Sequence, residues 1–231
     1  MEIKDLDSID SQKMYKIYDN WPEIARESFE TKFEKFDVKG IDHIIFAGMG
    51  GSGTIGDVLS SILSKKDIHV KSVKGYSLPK TADSNSLIIT TSVSGETQET
   101  LEVLKKAIET NSKVIAFSSG GSMKKICQDN NIFFQEIPMI HSPRGSFAKF
   151  LFSILSILKD IFSINESDIE EAILNLEKTR ERISSRNLGK DNVALELAEW
   201  INDTPLVYYP NGLQSAAIRL KNSLQENSKN M

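Results

Sequence analysis

Between Gly40 and Ile137 the sequence alternates short, continuous apolar runs with longer segments of helical periodicity. The runs are Ile41–Ala47, Ile68–Val73, Leu87–Thr91, Lys113–Phe117 and Ile132–Ile137. Apolar runs this short and unbroken predict strands buried on both faces of a parallel sheet. Thr54–Ser64, Thr97–Thr110 and Ser122–Asp129 predict the intervening helices, and a longer helix is predicted over Ser146–Ser163. Only Lys74–Ser86 shows no helical pattern. Strand alternating with helix demands right-handed crossovers, which predicts an α/β fold: a doubly wound, five-stranded parallel sheet with ligand sites at the carboxyl ends of its strands.

The flanks read differently. The first forty residues read as helical, with Asn20 placed to cap a helix that has Pro22 in its early turn. A polar stretch at Ser163–Ser167 marks a boundary. Helices over Asp168–Ser185 and Asn192–Asn202, a strand at Leu206–Tyr209 and a helix over Leu213–Gln225 follow it. The expected organisation is therefore N-terminal helices over 1–39, a phosphate-binding domain over 40–165, and the incomplete opening of a second α/β unit over 166–231. A lone strand forms no sheet, so the natural chain is expected to continue past Met231.

Composition removes several classes of function. A net charge of -4, with basic residues scattered among acidic ones, supplies no concentrated positive field for nucleic acid or anionic membrane. The single cysteine, Cys127, permits neither an intrachain disulfide nor a cysteine-based zinc site, and it reads as a small packed residue. Met1–Lys13 lacks the basic-then-apolar pattern of a secretory signal, and no stretch approaches the ~18 apolar residues of a spanning helix. These readings point to a cytoplasmic protein. Trp21 and Trp200 read as helix-packing aromatics, and His43 and His69, inside predicted strands, as structural histidines.

Two loops carry the candidate chemistry. The first strand runs into Gly48-Met49-Gly50-Gly51-Ser52-Gly53, with Thr54 opening a helix. Glycines bring backbone close to a ligand, and N–H groups at a helix start attract an anion. Gly48, Gly50 and Gly53 also satisfy the dinucleotide pattern G-x-G-x-x-G. That reading requires an acid at the end of the second strand, where the sequence has Ile68-His69-Val70-Lys71-Ser72-Val73-Lys74-Gly75. Lys71 or Lys74 could meet a 2′-phosphate instead, which keeps an NADP-dependent reductase as an alternative. The third strand ends in Thr91-Ser92-Val93-Ser94-Gly95-Glu96-Thr97-Gln98-Glu99-Thr100. Ser92, Ser94 and Thr97 place three hydroxyls around Gly95 at a helix start. A phosphate dianion can accept from all of them, whereas capping needs only one.

Ser92-Val93-Ser94-Gly95-Glu96-Thr97-Gln98-Glu99-Thr100 resembles the S-x-S-G-x-T-x-E-T signature of sugar isomerase (SIS) domains, a flavodoxin-like family, and the glycine turn occupies the place of its first ligand loop. The resemblance covers residues from about 40 to 160. It implies that Ser92, Ser94 and Thr97 bind a sugar phosphate, that Ser52 lines the site, and that Gly50, Gly51, Gly53 and Gly95 present backbone to it. His141-Ser142-Pro143-Arg144-Gly145-Ser146 is similar to the Pro-Arg-Gly turn of archaeal-type bifunctional phosphoglucose/phosphomannose isomerases. In that group the arginine stabilises an enediol-like intermediate, which implies Arg144 as electrostatic catalyst. Leu220-Lys221-Asn222-Ser223-Leu224-Gln225-Glu226-Asn227-Ser228-Lys229 resembles the stretch carrying the group's catalytic glutamate, with Gln225 and Ser228 departing from it. Glu226 is then the base.

The resemblance implies interconversion of glucose 6-phosphate and mannose 6-phosphate with fructose 6-phosphate, no cofactor, no metal and a homodimer. It also implies a ring-opening histidine after Glu226 and a lysine near the carboxyl terminus. The supplied chain reaches neither, and His141 is no substitute, so phosphate binding with little turnover is expected of it alone. The competing reading from another class is a non-catalytic sugar-phosphate sensor of the same fold.

Overall fold

The computed structural model describes residues 1–36, 38–189, 191–210 and 212–228. Its centre is a sheet of five parallel strands, β1 (His43–Ala47), β2 (His69–Val73), β3 (Ser86–Ser92), β4 (Lys113–Ser118) and β5 (Phe133–Glu136), in the order β2-β1-β3-β4-β5. This is the doubly wound arrangement that the alternating pattern predicts. Helices α4 (Gly50–Leu63), α5 (Gln98–Ile108), α6 (Gly121–Asp129) and α7 (Phe147–Phe162) follow β1, β3, β4 and β5. No helix follows β2, as Lys74–Ser86 predicts.

Burial along the strands explains their sequences. β1 and β3 are buried throughout, and β4 everywhere except Lys113, so these three strands have apolar neighbours on both faces. β2 and β5 are the edges. His69 and Lys71 are exposed on β2, which corrects the expectation of full burial there. The core divides into two layers. Ile44, Phe46, Leu87, Ile89, Ile115 and Phe117 face α4 and α7 on one side, and Ile45, Ile88, Val114 and Ala116 meet α5 and α6 on the other. Buried Cys127 belongs to the second layer, and desolvation pushes its thiol up to about 12, which leaves it inert.

The amino-terminal segment forms α1 (Ile3–Ile9), α2 (Met14–Asp19) and α3 (Trp21–Glu30), and the described residues between Thr31 and β1 are not helical. Helix therefore ends well short of residue 40. Asn20 stands at the start of α3 with Pro22 in its first turn, yet its side chain makes no capping bond. α3 packs on α7 and on α8 (Glu166–Ile183). Arg26 of α3 reaches Glu170 (2.5 Å) and Glu177 (3.0 Å), and Arg180 of α8 returns to Glu23. Ile169 and Ile173 join the first core layer.

Asn192 caps α9 (Val193–Trp200) by accepting from the amides of Ala194 and Leu195. The strand predicted at Leu206–Tyr209 does not form: no described strand lies beside it, and Leu206 and Tyr208 are exposed. Trp200 is likewise 73% exposed, so it packs no helix as the sequence had suggested. α10 (Gln214–Ser223) packs on α4 and continues into a π-helical turn, Leu224–Ser228. No described helix is long and apolar enough to cross a membrane.

His43 pairs in register with His69 at the amino-terminal end of the sheet, their rings 4.7 Å apart. Burial, then the neighbouring His69 ring, lowers His43's affinity for protons. The unfolded chain takes up that proton near ~6.5 while the folded chain resists it. The contribution is complete above that value and declines as pH falls through it. The urea midpoint should drop between pH 7.5 and 5.5, and His43→Gln should flatten that dependence.

Candidate functional site

The strand order reverses between β1 and β3, so the loops leaving these two strands flank a crevice at the sheet's carboxyl edge. The two glycine- and hydroxyl-rich motifs are those loops. A side-chain carbon at Gly48 would lie 3.0 Å from the Thr91 carbonyl oxygen, which measures how closely the first loop approaches the end of β3. One at Gly53 would lie 2.7 Å from the Gly48 carbonyl oxygen. The sequence placed the helix start at Thr54, but α4 begins at Gly50. Gly50, Gly51, Ser52 and Gly53 are therefore its first turn; the Gly53 amide donates to the Met49 carbonyl (3.1 Å), and the amides of Gly50, Gly51 and Ser52 lack intrahelical acceptors. Ser52 is half-buried there.

The β3–α5 loop is held from inside. The buried Ser92 hydroxyl accepts from the Gly95 amide (3.1 Å) and shares a hydrogen bond with the Thr97 hydroxyl (2.9 Å). The Ser94 hydroxyl accepts from the Glu96 amide (3.2 Å), and Ser94 is exposed. Thr97 occupies the N-cap position of α5, but its side chain makes no capping bond. The hydroxyl cluster is thus not a helix cap.

A second turn braces this loop. Gly95 has φ +73°, and a side-chain carbon there would lie 2.0 Å from the Gly120 carbonyl oxygen. Met123 donates its amide to the Gly95 carbonyl, and Ser119 donates its amide and hydroxyl to the Val93 carbonyl. The Glu96 carboxylate accepts from the Ser122 amide (2.7 Å) and hydroxyl (2.8 Å). Those bonds, the side-chain one first, hold its carboxyl below the usual range. Glu96 therefore caps α6 from the neighbouring loop, a role the sequence did not reveal.

Arg144 lies in the turn between β5 and α7. The buried Ser146 hydroxyl donates within the carbonyl pair of Ile140 (3.0 Å) and Ser142 (2.9 Å) and accepts from the Ile140 amide (2.8 Å). Met14 and Ile17 of α2 pack against Gly145, and the Trp21 indole N–H reaches the Gly145 carbonyl (3.4 Å). His141, at φ +57°, meets the Gln12 carbonyl (3.1 Å). The histidine in this motif thus fastens the turn to the N-terminal helices.

Glu226 sits half-buried in the π-helical turn after α10, a conformation concentrated at functional sites. A cleft of about 480 Å³ brings Arg144 together with Asn227 and Ser228, closed on its other side by Tyr15 and Tyr18. Asn227 donates to the Tyr18 hydroxyl (3.3 Å). Lys229, part of the same sequence motif, lies outside the described residues.

No hydrogen bond joins the hydroxyl loop directly to Arg144 among the described residues. Arg219 of α10 instead links Arg144 to the glycine turn. Its Nη2 donates to the Arg144 carbonyl (2.9 Å), and its Nη1 lies 3.9 Å from where a side-chain carbon on Gly51 would stand. Sequence reasoning missed Arg219, because an arginine inside a predicted amphipathic helix reads as a solvated charge.

Of the two lysines held open for a 2′-phosphate, Lys74 pairs with Asp57 at 2.5 Å and Lys71 is exposed on β2. No cluster of three or more His, Cys, Asp or Glu side chains is placed for a metal among the described residues.

With this geometry in view, comparison with known proteins identifies the class. A family model for the SIS domain matches residues 39–154, and one for the bacterial phospho-glucose isomerase C-terminal SIS domain matches residues 190–231. The chain belongs to the SIS domain family. It is 32% identical over 225 residues to a bifunctional phosphoglucose/phosphomannose isomerase from Caldicellulosiruptor bescii, covering 94% of this chain and 66% of that relative. It is 31% identical to the protein of the same name from Aquifex aeolicus, covering 88% and 62%. The chain thus spans less than two thirds of the length of these curated relatives. Among solved structures, tagatose-6-phosphate ketose/aldose isomerase from Escherichia coli shares the fold, with a TM-score of 0.62 and 16% identity over 94% of this chain and 65% of that one.

Gly95→Ala tests the bracing. It combines a left-handed backbone, costing about 1–2 kcal/mol, with overpacking against Gly120 of about 1–3 kcal/mol. A loss of stability near ~2–4 kcal/mol by urea denaturation is expected. A loss within ~0.5 kcal/mol would show that the two turns do not depend on each other.

Proposed function

We propose that this chain carries the phosphosugar-binding face of an aldose–ketose isomerase that interconverts glucose 6-phosphate and mannose 6-phosphate with fructose 6-phosphate. One observation carries the reading: three hydroxyls and the Gly95 turn meet at the β1/β3 crevice, with Thr97 unused as a cap. Names of the sequence relatives support the choice of hexose phosphate.

On this reading Ser52, Ser92, Ser94 and Thr97 hold the phosphate by hydroxyl donors, and Gly50, Gly51, Gly53 and Gly95 offer backbone at the same crevice. Glu226 takes the proton from C2 of the open-chain aldose and returns it to C1, while a proton passes between the two oxygens. Arg144 stabilises negative charge on the intervening enediolate. Glu226 does not line the cleft of Arg144, but the next two residues of its π-helical turn, Asn227 and Ser228, do, and that proximity supports this pairing of roles. The same reading takes 40–165 as the SIS unit, with 1–39 as helical support and 166–231 as the opening of a second unit, α8 being the helix that ties them. It also carries a homodimeric, cytoplasmic enzyme needing no cofactor.

The test is binding and turnover in the full-length protein. Hydrogen bonds to a charged acceptor contribute about 1.5–3 kcal/mol each. Ser94→Ala with Thr97→Ala should therefore weaken hexose 6-phosphate binding at least ~10-fold by calorimetry. Unchanged affinity would remove the phosphate site from this loop. Glu226→Gln should leave that affinity in place and lower kcat by about 10²–10⁴-fold, the range of a lost general base. Ligand binding with no product from the unaltered protein would turn the reading to a sugar-phosphate sensor.

A further inference from the structure

The arrangement around Arg219 goes beyond the roles above. Its guanidinium stands 4.9 Å from the Phe147 ring and 5.7 Å from the Trp21 ring, so two aromatics fix its plane. Trp21 itself packs on Phe147 at 5.9 Å and reaches the Gly145 carbonyl. Arg219 thus contacts the Arg144 turn three ways: through the Arg144 carbonyl, through Phe147 after the turn, and through Trp21 bound to Gly145. The Nε atoms of both Arg144 and Arg219 are buried without a hydrogen-bond partner. Neither arginine forms an ion pair with a carboxylate among the described residues.

We propose that Arg219 is a positioning residue for Arg144. It holds the Arg144 turn against the first turn of α4 and so fixes where Arg144 stands, which sets the rate of the step that develops negative charge and not the affinity for the phosphate. This rests on the isomerase reading for Arg144. A lysine cannot take its place, because a point charge lacks the planar fork that stacks on rings while donating to a carbonyl.

Arg219→Gln and Arg219→Lys in the full-length protein test this. Both should lower kcat by about 10- to 100-fold, as small misplacements of a catalytic group do, with hexose 6-phosphate Kd within ~3-fold of the parent. In an Arg144→Ala background the same Arg219 substitutions should have little further effect, because a group acting through another is non-additive with it. An equal kcat loss in both backgrounds, or a raised Kd with unchanged kcat, would overturn the proposal. Should the Gln variant fail to fold, the Lys variant keeps the charge and carries the test. Amide exchange supplies a readout independent of turnover: Gly145 and Ser146 should exchange faster in both variants. If the unaltered protein neither binds nor isomerises hexose 6-phosphates, the isomerase reading falls, and the exchange rates still decide whether Arg219 holds the turn. Unchanged exchange would overturn it.

Discussion

The site depends on one close approach between backbones. The Gly95 turn lies so near the Gly120 carbonyl that not even a methyl group fits between them. That contact joins the loop after β3 to the loop after β4, and the Gly95 amide in it is bound by Ser92. Ser118 donates to the Gly120 carbonyl and accepts from the Gly120 amide, fixing the far side. Ser92, fully buried at the end of β3, then accepts from the Gly95 amide and orients Thr97. A larger residue at 95 would separate the turns and free Glu96 from Ser122, loosening the start of α5 and α6 together. The left-handed backbone at Gly95 is unfavourable for other residues, and the same position also has to be the narrowest.

The sheet dictates where this can happen. Parallel strands place all their carboxyl ends on one edge, and the order β2-β1-β3-β4-β5 parts the connecting helices to opposite faces between β1 and β3. Both motif loops leave those two strands. The histidine pair occupies the opposite edge, at the start of β1 and β2, away from both motif loops.

Much of this was legible in the sequence. Continuous apolar runs gave away the three central strands because burial on both faces leaves no polar alternation to confuse them. The hydroxyl loop was legible because three short hydroxyls around a glycine exceed what a cap requires. Other features depend on tertiary contacts that leave no local pattern. Leu206–Tyr209 has β-favouring side chains, yet a strand exists only as part of a sheet, and no described strand adjoins it. The early start of α4 at Gly50 contradicts glycine's poor helix propensity; its first turn lies too close to Gly48 for side chains at 48 or 53. Glu96 and Arg219 were illegible for a related reason. Each looks like an ordinary surface charge until the fold supplies Ser122 in one case, and Trp21, Phe147 and the Arg144 carbonyl in the other.

The placement of charge fits the proposed chemistry. A phosphate ester carries the same charge before and during an isomerisation at C1 and C2, so contacts to it contribute equally to substrate and transition state. Neutral hydroxyls and amides suffice for that task, and no lysine or arginine stands in the Ser92–Thr97 loop. Charge that exists only in the enediolate rewards a fixed cation, because an interaction realised only in the transition state raises kcat. The arginines lie outside that loop, at 144 and 219, joined by one hydrogen bond from Arg219 to the Arg144 carbonyl, with Arg219 held against two aromatic rings. On the proposed reading, keeping the cations out of the loop assigned to the phosphate also keeps the phosphate from competing for them, which leaves their field for the atoms that react.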